Sequence, residues 1–345
     1  MIRALIVDDS PTLRWLLRNI LESDPELQVV GEARTGEEAV AFCARSRPDV
    51  VTMDIQMPGI GGHEAIRRIM GESPCPIVVV TGLEEGLLDI SFKALQLGAL
   101  TVASKPTGLP VDDPVARHLL TQVKLMASVK VVRRVWRSPP VESAPGPAIP
   151  PSRQSLRPRL LAMGASTGGP PVLQTILTGL GADFPLPIVI VQHISQGFVG
   201  GLAGWLDATT PLCCKVARPY ETLQAGTVYL APDDHHLLIK PAGVVWLDNA
   251  PPLGSHRPAV TCLFESIARS YGAAAIGMLL TGMGADGARG LKALRESGAY
   301  TIAQDETSST VFGMPQAAIQ LGAALEVLGL AQIAPRLLNL LEKSA

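Results

Sequence analysis

Aromatic residues make up only 4% of the 345-residue chain and charged residues 17%, against 47% apolar residues. Cores poor in aromatics have to be built from Val, Leu, Ile and Ala, the composition of buried parallel sheets, so an α/β fold is expected. Neither sign of charge dominates, the formal net charge being -2. That balance removes the electrostatic ground for nucleic-acid binding, and no nucleic-acid partner is expected. Cysteine is sparse as well. The five present, Cys43, Cys75, Cys213, Cys214 and Cys262, are odd in number and show no C-x-x-C spacing. This argues against a zinc site and against a disulfide framework, and it fits a reducing cytoplasm. No apolar run reaches the roughly 18 residues of a membrane span, and residues 1–8 are too short for a signal segment, so no membrane insertion is expected.

The length suits two domains. In residues 1–125, apolar runs at 4–7, 28–32, 50–53, 77–81 and 100–103 alternate with helix-like segments at 11–23, 36–46, 62–70, 86–97 and from 112 onward to 137. Repeated βα units imply a doubly wound parallel sheet, whose chemistry collects at the carboxyl ends of the strands. Those ends carry Asp8 and Asp9, Asp54, Thr81, and Lys105 followed by Pro106. Clustered carboxylates repel one another, and a hard cation such as Mg²⁺ is the natural way to keep them ionised together. A lone Asp at a strand end is more often a helix cap, but the combination across several strand ends favours a metal site.

Residues 126–158 read as a linker. The basic tail of the preceding helix, Lys130 to Arg137, suits a solvated face or a domain contact, and the proline-dense segment 138–158 suits an extended, semi-rigid connector.

Residues 159–345 repeat the α/β pattern, with apolar runs at 160–163, 188–192, 226–230, 236–240, 244–247, 275–280 and 300–303. The runs 227–230 and 236–239 are close enough for a hairpin, so a mainly parallel sheet with an antiparallel edge is expected. Its most distinctive stretch is Gly164-Ala-Ser-Thr-Gly-Gly169, which follows an apolar run and satisfies Gly-x-Ser-x-Gly. A serine at such a turn suits a nucleophile, and the glycines suit a phosphate cradle equally well. Two further strand ends deliver His193 and Asp286. A serine needs a base to take its proton, and an imidazole base needs a carboxylate to hold its tautomer. Taken singly, Ser166 could cap a helix, His193 could be a core histidine and Asp286 a turn former. Together they favour a catalytic triad. A dinucleotide-binding loop would call for an acidic residue near the end of the next strand, where Gln192 and His193 stand instead.

The first domain, with Asp8, Asp9, Asp54, Thr81 and Lys105 in their places, resembles the receiver domain of two-component response regulators, a flavodoxin-like five-stranded fold. The resemblance implies that Asp54 accepts a phosphoryl group from a histidine kinase. It implies also that Asp8, Asp9, Asp54 and the Gln56 carbonyl hold Mg²⁺ and that Thr81 and Lys105 contact the phosphoryl oxygens. Such domains often carry an aromatic residue three positions before the lysine, where this chain has Val102. The segments around Ser166 and His193, Tyr229 to Asp233, His256-Arg257-Pro258, Leu280 to Gly287, and Gln304 to Pro315 resemble the catalytic domain of chemotaxis protein-glutamate methylesterases. That resemblance implies a cytoplasmic serine esterase acting on glutamate methyl esters, and also on glutamines, of chemoreceptor cytoplasmic helices, with no cofactor in the catalytic domain. Ser166 is then the nucleophile, His193 the base, Asp286 the orienting carboxylate and the Met283 N–H an oxyanion donor, with the helix start after Ser166 as a second donor. Thr167 is a candidate support for His193, and Arg257 a candidate contact for an acidic substrate. His235, His236 and His256 have no assigned role. The receiver is expected to cover the Ser166 cleft until Asp54 is phosphorylated. The rival from another class is a response regulator whose second domain acts only by protein contact.

Overall fold

The computed structural model describes residues 1–82, 87–109, 113–129, 131 and 158–342. The first sheet is formed by β1 (Ile2–Val7), β2 (Leu27–Ala33), β3 (Val50–Met53), β4 (Ile77–Thr81) and β5 (Thr101–Ser104). They alternate with α1 (Pro11–Glu22), α2 (Gly36–Ser46), α3 (Gly61–Glu72), α4 (Leu87–Gln96) and α5 (Pro114–Ala127). The strand order is β2-β1-β3-β4-β5, parallel throughout. β3 and β4 are buried along their whole length, which is why they read as unbroken apolar runs and not as alternating ones. The expected helix from 112 ends at Ala127 within the described residues; its basic continuation and nearly all of the proline-dense connector lie outside them.

The second sheet contains β6 (Leu160–Ala165), β7 (Ile188–Gln192), β8 (Cys213–Val216) and β9 (Thr227–Leu230). After a small hairpin of β10 (His236–Lys240) and β11 (Val244–Asp248), it continues with β12 (Ala275–Leu279), β13 (Tyr300–Gln304) and β14 (Glu326–Leu328). Its helices are α6 (Gly169–Leu180), α7 (Val199–Thr209), α8 (Val260–Ser270), α9 (Ala288–Glu296), α10 (Met314–Gln320) and α11 (Leu330–Glu342). The order is β14-β13-β12-β6-β7-β9-β8, again parallel throughout.

The antiparallel component is therefore a separate sheet of β10 and β11, not an edge of the large one, and the hairpin expected between 227–230 and 236–239 does not form. The reason is that β9 already has a parallel neighbour on each side, β7 and β8. It has no free edge for β10. β8 and β14 were missed from the sequence because they are short and partly exposed, with no apolar run to announce them.

Both sheets reverse their winding at one point, between β1 and β3 in the first and between β6 and β12 in the second. A crevice opens outside the carboxyl ends of the strands at such a reversal. The two sheets are also joined into one continuous apolar core. Phe92 of α4 stacks on Trp205 of α7 with ring centroids 5.7 Å apart, and the Gln96 amide donates to Gln174 of α6 at 2.8 Å. Among the described residues no helix is long and apolar enough to cross a membrane.

Phe264 on α8 is fully buried in the second core. Phe264→Ala is expected to cost about 3–5 kcal/mol through lost burial and the cavity left behind, read as an earlier urea transition of the second domain. A loss under about 1 kcal/mol would mean the site collapses freely.

Candidate functional site

At the reversal point of the first sheet, oxygens of Asp8, Asp9 and Asp54 all lie within 4.8 Å of one another. Asp8 and Asp54 are buried, whereas Asp9 is exposed. The Lys105 ammonium donates to Asp54 at 2.8 Å and pairs with Asp8 at 3.2 Å. Burial pushes the Asp8 carboxyl up, although the Ser10 N–H and Lys105 pull against it. Lys105 is raised despite its burial, because Asp54 and Asp8 favour the charged ammonium. Thr81 is buried at the end of β4, its carbonyl accepting from the Lys105 N–H at 2.8 Å. Gln56 is exposed and its N–H donates to Asp54 at 3.3 Å.

This all-oxygen donor set, in which the buried Asp8 Oδ2 has the Lys105 ammonium at 3.2 Å beside it, fits a hard divalent cation such as Mg²⁺. A contributor that sequence reasoning missed is Arg14 of α1. Its guanidinium donates to the carbonyls of Asp8 at 2.8 Å and Asp9 at 2.9 Å and is anchored by Glu32, so it holds the backbone of the acidic pair.

At the second reversal point, Ser166 follows β6, His193 follows β7, and Asp286 stands in the loop between β12 and α9. The sheet ladder extends into these turns, with the His193 N–H donating to the Ala165 carbonyl and the Ser166 N–H to the Thr281 carbonyl, both at 2.9 Å. The His193 Nε2–H donates to Asp286 Oδ2 at 2.9 Å. A carboxylate only accepts, so this bond puts the ring proton on Nε2 and leaves Nδ1 as a bare acceptor. That Nδ1 is buried and has no hydrogen-bond partner. Ser166 lines the same cleft of about 440 Å³.

Asp286 is also held by the N–H groups of Val260 at 2.7 Å and Thr261 at 3.1 Å, at the start of α8, and by its neighbour Gly287 at 2.8 Å. Burial alone would raise its carboxyl. The hydrogen bond and charge of His193 and the donors of Thr261 outweigh burial and hold it well below the usual 3.8.

The turn at Ser166 is tight for two steric reasons. Gly168 adopts φ +75, a left-handed conformation that glycine supplies without strain, and a Cβ on Gly169 would fall 2.0 Å from Gln192 Oε1. Ser166 does not cap α6, whose N-cap is Gly168 with no side-chain bond. Pro170 and Pro171 lack N–H groups, and the Gly169 N–H is used on the Ser166 carbonyl at 2.8 Å. Any second oxyanion donor after Ser166 therefore has to come from the Thr167 or Gly168 N–H and not from residues 169–171. Met283 lines the cleft, and a Cβ on the preceding Gly282 would lie 2.7 Å from Ser166 Cβ, so this backbone passes directly against the serine.

Other expectations change. The Thr167 carbonyl accepts from the Thr281 hydroxyl at 2.9 Å, with no bond from Thr167 to His193. Arg257, which lines the cleft, pairs with the exposed Asp234 and reaches the carbonyls of Asn249 and Ala250. His235 and His236 are tied to the backbone carbonyls of Asp233 and Pro251. His256, unassigned from sequence, stacks on His193 with centroids 4.0 Å apart and planes 4° from parallel. Its own pKa is lowered by burial and by His193.

The first domain forms one wall of the cleft through Leu95, Leu100, Val102, His118 and Gln122. The Ser195 hydroxyl, two residues beyond His193, donates to the Val102 carbonyl at 3.0 Å, and His118 Nε2 lies 3.2 Å from the same hydroxyl. Burial lowers the His118 pKa.

A carboxyl whose folded pKa is depressed contributes stability that is full above its unfolded value, about pH 4, and is lost as pH falls through the folded one. Asp286→Asn is expected to unfold with a shallower acid dependence than the wild type. Urea titrations at about pH 5 and about pH 3 check this, and equal slopes would contradict it.

The profile of the response regulator receiver domain matches residues 4–111, and that of CheB methylesterase matches residues 161–337. A protein-glutamate methylesterase/protein-glutamine glutaminase of Geobacter metallireducens is 47% identical over 336 residues, 95% of each chain. One of Myxococcus xanthus is 47% identical over 340 residues, 97% of this chain and 96% of that one. The crystal structure of the Thermotoga maritima CheB methylesterase catalytic domain is 39% identical, with TM-score 0.52, and the match covers 53% of this chain and 98% of that one. With a receiver domain preceding an esterase domain built on the same parallel sheet, the chain belongs to the CheB methylesterase family.

Proposed function

We propose that this chain is a phosphorylation-regulated serine esterase that hydrolyses glutamate methyl esters, and also deamidates glutamines, on the cytoplasmic helices of chemoreceptors. The observation that carries the reading is the state of His193. Asp286 fixes its tautomer and leaves a bare, unpartnered Nδ1 on a ring that lines the same cleft as Ser166. The proposed division is a receiver over residues 1–125, a linker to 158 and the esterase from 159.

In this mechanism Ser166 Oγ attacks the ester carbonyl while its proton passes to His193 Nδ1. The Met283 N–H meets the oxyanion of the tetrahedral intermediate, and Asp286 stabilises the imidazolium across the 2.9 Å bond. His193 then protonates the departing methoxide, releasing methanol and leaving a glutamyl ester on Ser166. In the second half the neutral ring takes a proton from water, and hydrolysis of the acyl-enzyme returns the glutamate and the free serine. With a glutamine substrate the same steps release ammonia.

On the receiver, a histidine kinase supplies the phosphoryl group to Asp54. Asp8, Asp9, Asp54 and the Gln56 carbonyl would hold Mg²⁺, which neutralises charge on the transferring phosphoryl oxygens. Lys105 and Thr81 hold those oxygens from the other side. Regulation is proposed to act through the wall that the receiver places on the cleft. Phosphorylation draws Lys105 and Thr81 toward the new group and shifts β5, and the Ser195 bond to the Val102 carbonyl loosens. The cytoplasm is the proposed location, where both kinase and receptor helices are found.

Ser166→Ala is expected to lower methanol release from methylated receptor by about a thousandfold or more; release at the wild-type rate would remove the nucleophile assignment. A small phosphodonor such as acetyl phosphate is expected to stimulate the full chain and to leave Asp54→Asn unstimulated. Equal stimulation of both would show that regulation does not pass through Asp54.

A further inference from the structure

We infer that Gln192 is a positioning residue for the esterase reaction, a carboxamide clamp that sets the nucleophile turn and the base turn at one fixed separation. The inference rests on the assignment of Ser166 as nucleophile and His193 as base. Gln192 is the last residue of β7 and is 6% exposed. Its side-chain nitrogen donates to the carbonyl of Ser166 and to the carbonyl of His193, each at 2.8 Å. Both N–H groups of the amide are thus spent on the two residues that must meet in the reaction. The β6–β7 ladder closes with Ala165 opposite Gln192, and the His193 N–H reaches back to the Ala165 carbonyl at 2.9 Å. Beyond that rung the strands turn away, and the Gln192 side chain carries the link across to Ser166.

The orientation of the amide follows from its partners. Two carbonyl acceptors require the nitrogen on their side, so Oε1 must point the other way. There it is buried without a hydrogen-bond partner, pressed against Gly169 where a Cβ would fall 2.0 Å away. Proteins keep few buried acceptors in this condition, and each calls for an explanation. Among the described residues the one other buried side-chain atom with neither a hydrogen bond nor an ion pair is His193 Nδ1. Both lie at the esterase site. The Gln192 oxygen has no access to solvent and no partner to react with, so what it contributes is the nitrogen at the other end of the same group. A methionine of similar length would fill the space with no unsatisfied oxygen, and would leave the two turns untied.

Displacement of a reacting group by about 1 Å can cost on the order of 100-fold in rate. The test uses the full chain with acetyl phosphate and a chemoreceptor cytoplasmic fragment carrying radiolabelled methyl groups. Gln192→Met is expected to lower kcat for methanol release by about 30- to 100-fold with KM changed by less than about threefold. Labelling of Ser166 by a serine-directed phosphonate is expected to slow in parallel, while the urea transition stays cooperative and well above the assay condition. Gln192→Glu, which sets a carboxylate against two carbonyl oxygens, is expected to be at least as slow. A kcat for Gln192→Met within about twofold of wild type would overturn the clamp, and so would a lost kcat that merely follows an earlier unfolding transition. Ser166→Ala run alongside keeps the two readings apart. If it remains active, the nucleophile assignment fails; if it is inactive while Gln192→Met is unaffected, only the clamp fails.

Discussion

Parallel pairing of the strands places every carboxyl end of a sheet along one edge, and the rest of the architecture depends on that constraint. At the point where the winding reverses, neighbouring strands send their connections to opposite faces and leave a crevice between them. In the first sheet the reversal lies between β1 and β3 and collects Asp8, Asp9 and Asp54. In the second it lies between β6 and β12 and sets Ser166 beside the loop that carries Asp286. β7 brings His193 from the next position. One packing rule thus builds a phosphoryl-transfer candidate and an acyl-transfer candidate in the same chain.

Both crevices hold polar atoms out of water, which the molecule tolerates only where they have work to do. An unpartnered buried acceptor costs about 1–3 kcal/mol, and His193 Nδ1 and Gln192 Oε1 are both in that state. The surrounding groups keep the arrangement in place. Asp286 takes donors from the start of α8 as well as from His193, so its charge is supported by a helix terminus. His256 lies flat on the His193 ring and fixes its plane. The two domains are packed together by the stack of Phe92 on Trp205 and meet at the cleft through the Ser195 hydroxyl on the Val102 carbonyl. A backbone carbonyl is supplied by any residue, so a valine at the position where related receivers often carry an aromatic does not remove this link.

Fully buried strands and the polar residues at their ends were legible because a strand buried on both faces is an unbroken apolar run with a sharp end. β3, β4, β6 and β7 are of this kind; Asp54, Ser166 and His193 stand just past three of them and Thr81 is the last residue of β4. β8 and β14 were illegible because short, partly exposed edge strands carry no such run. The misplaced hairpin has a different cause. Nearness in sequence suggested that 227–230 and 236–239 pair, but β9 is occupied on both edges by strands that precede it in the chain. Arg14, Gln192 and His256 could not be read as parts of the sites, because each acts on a backbone carbonyl or a ring face, and neither leaves a mark in residue type.

The sequence by itself determined the α/β class, the two-domain layout and the residue types at each strand end, since these follow from local periodicity and from chemistry that only Asp, Ser, His and Lys can perform. Only the tertiary structure decided which ring nitrogen of His193 faces the carboxylate, that Arg257 pairs with Asp234, that Pro170 and Pro171 leave the start of α6 few donors toward Ser166, and that the receiver forms a wall of the esterase cleft. Hydrogen-bond direction, ring orientation and domain contact are properties of distances between segments far apart in the chain, and no local pattern encodes them.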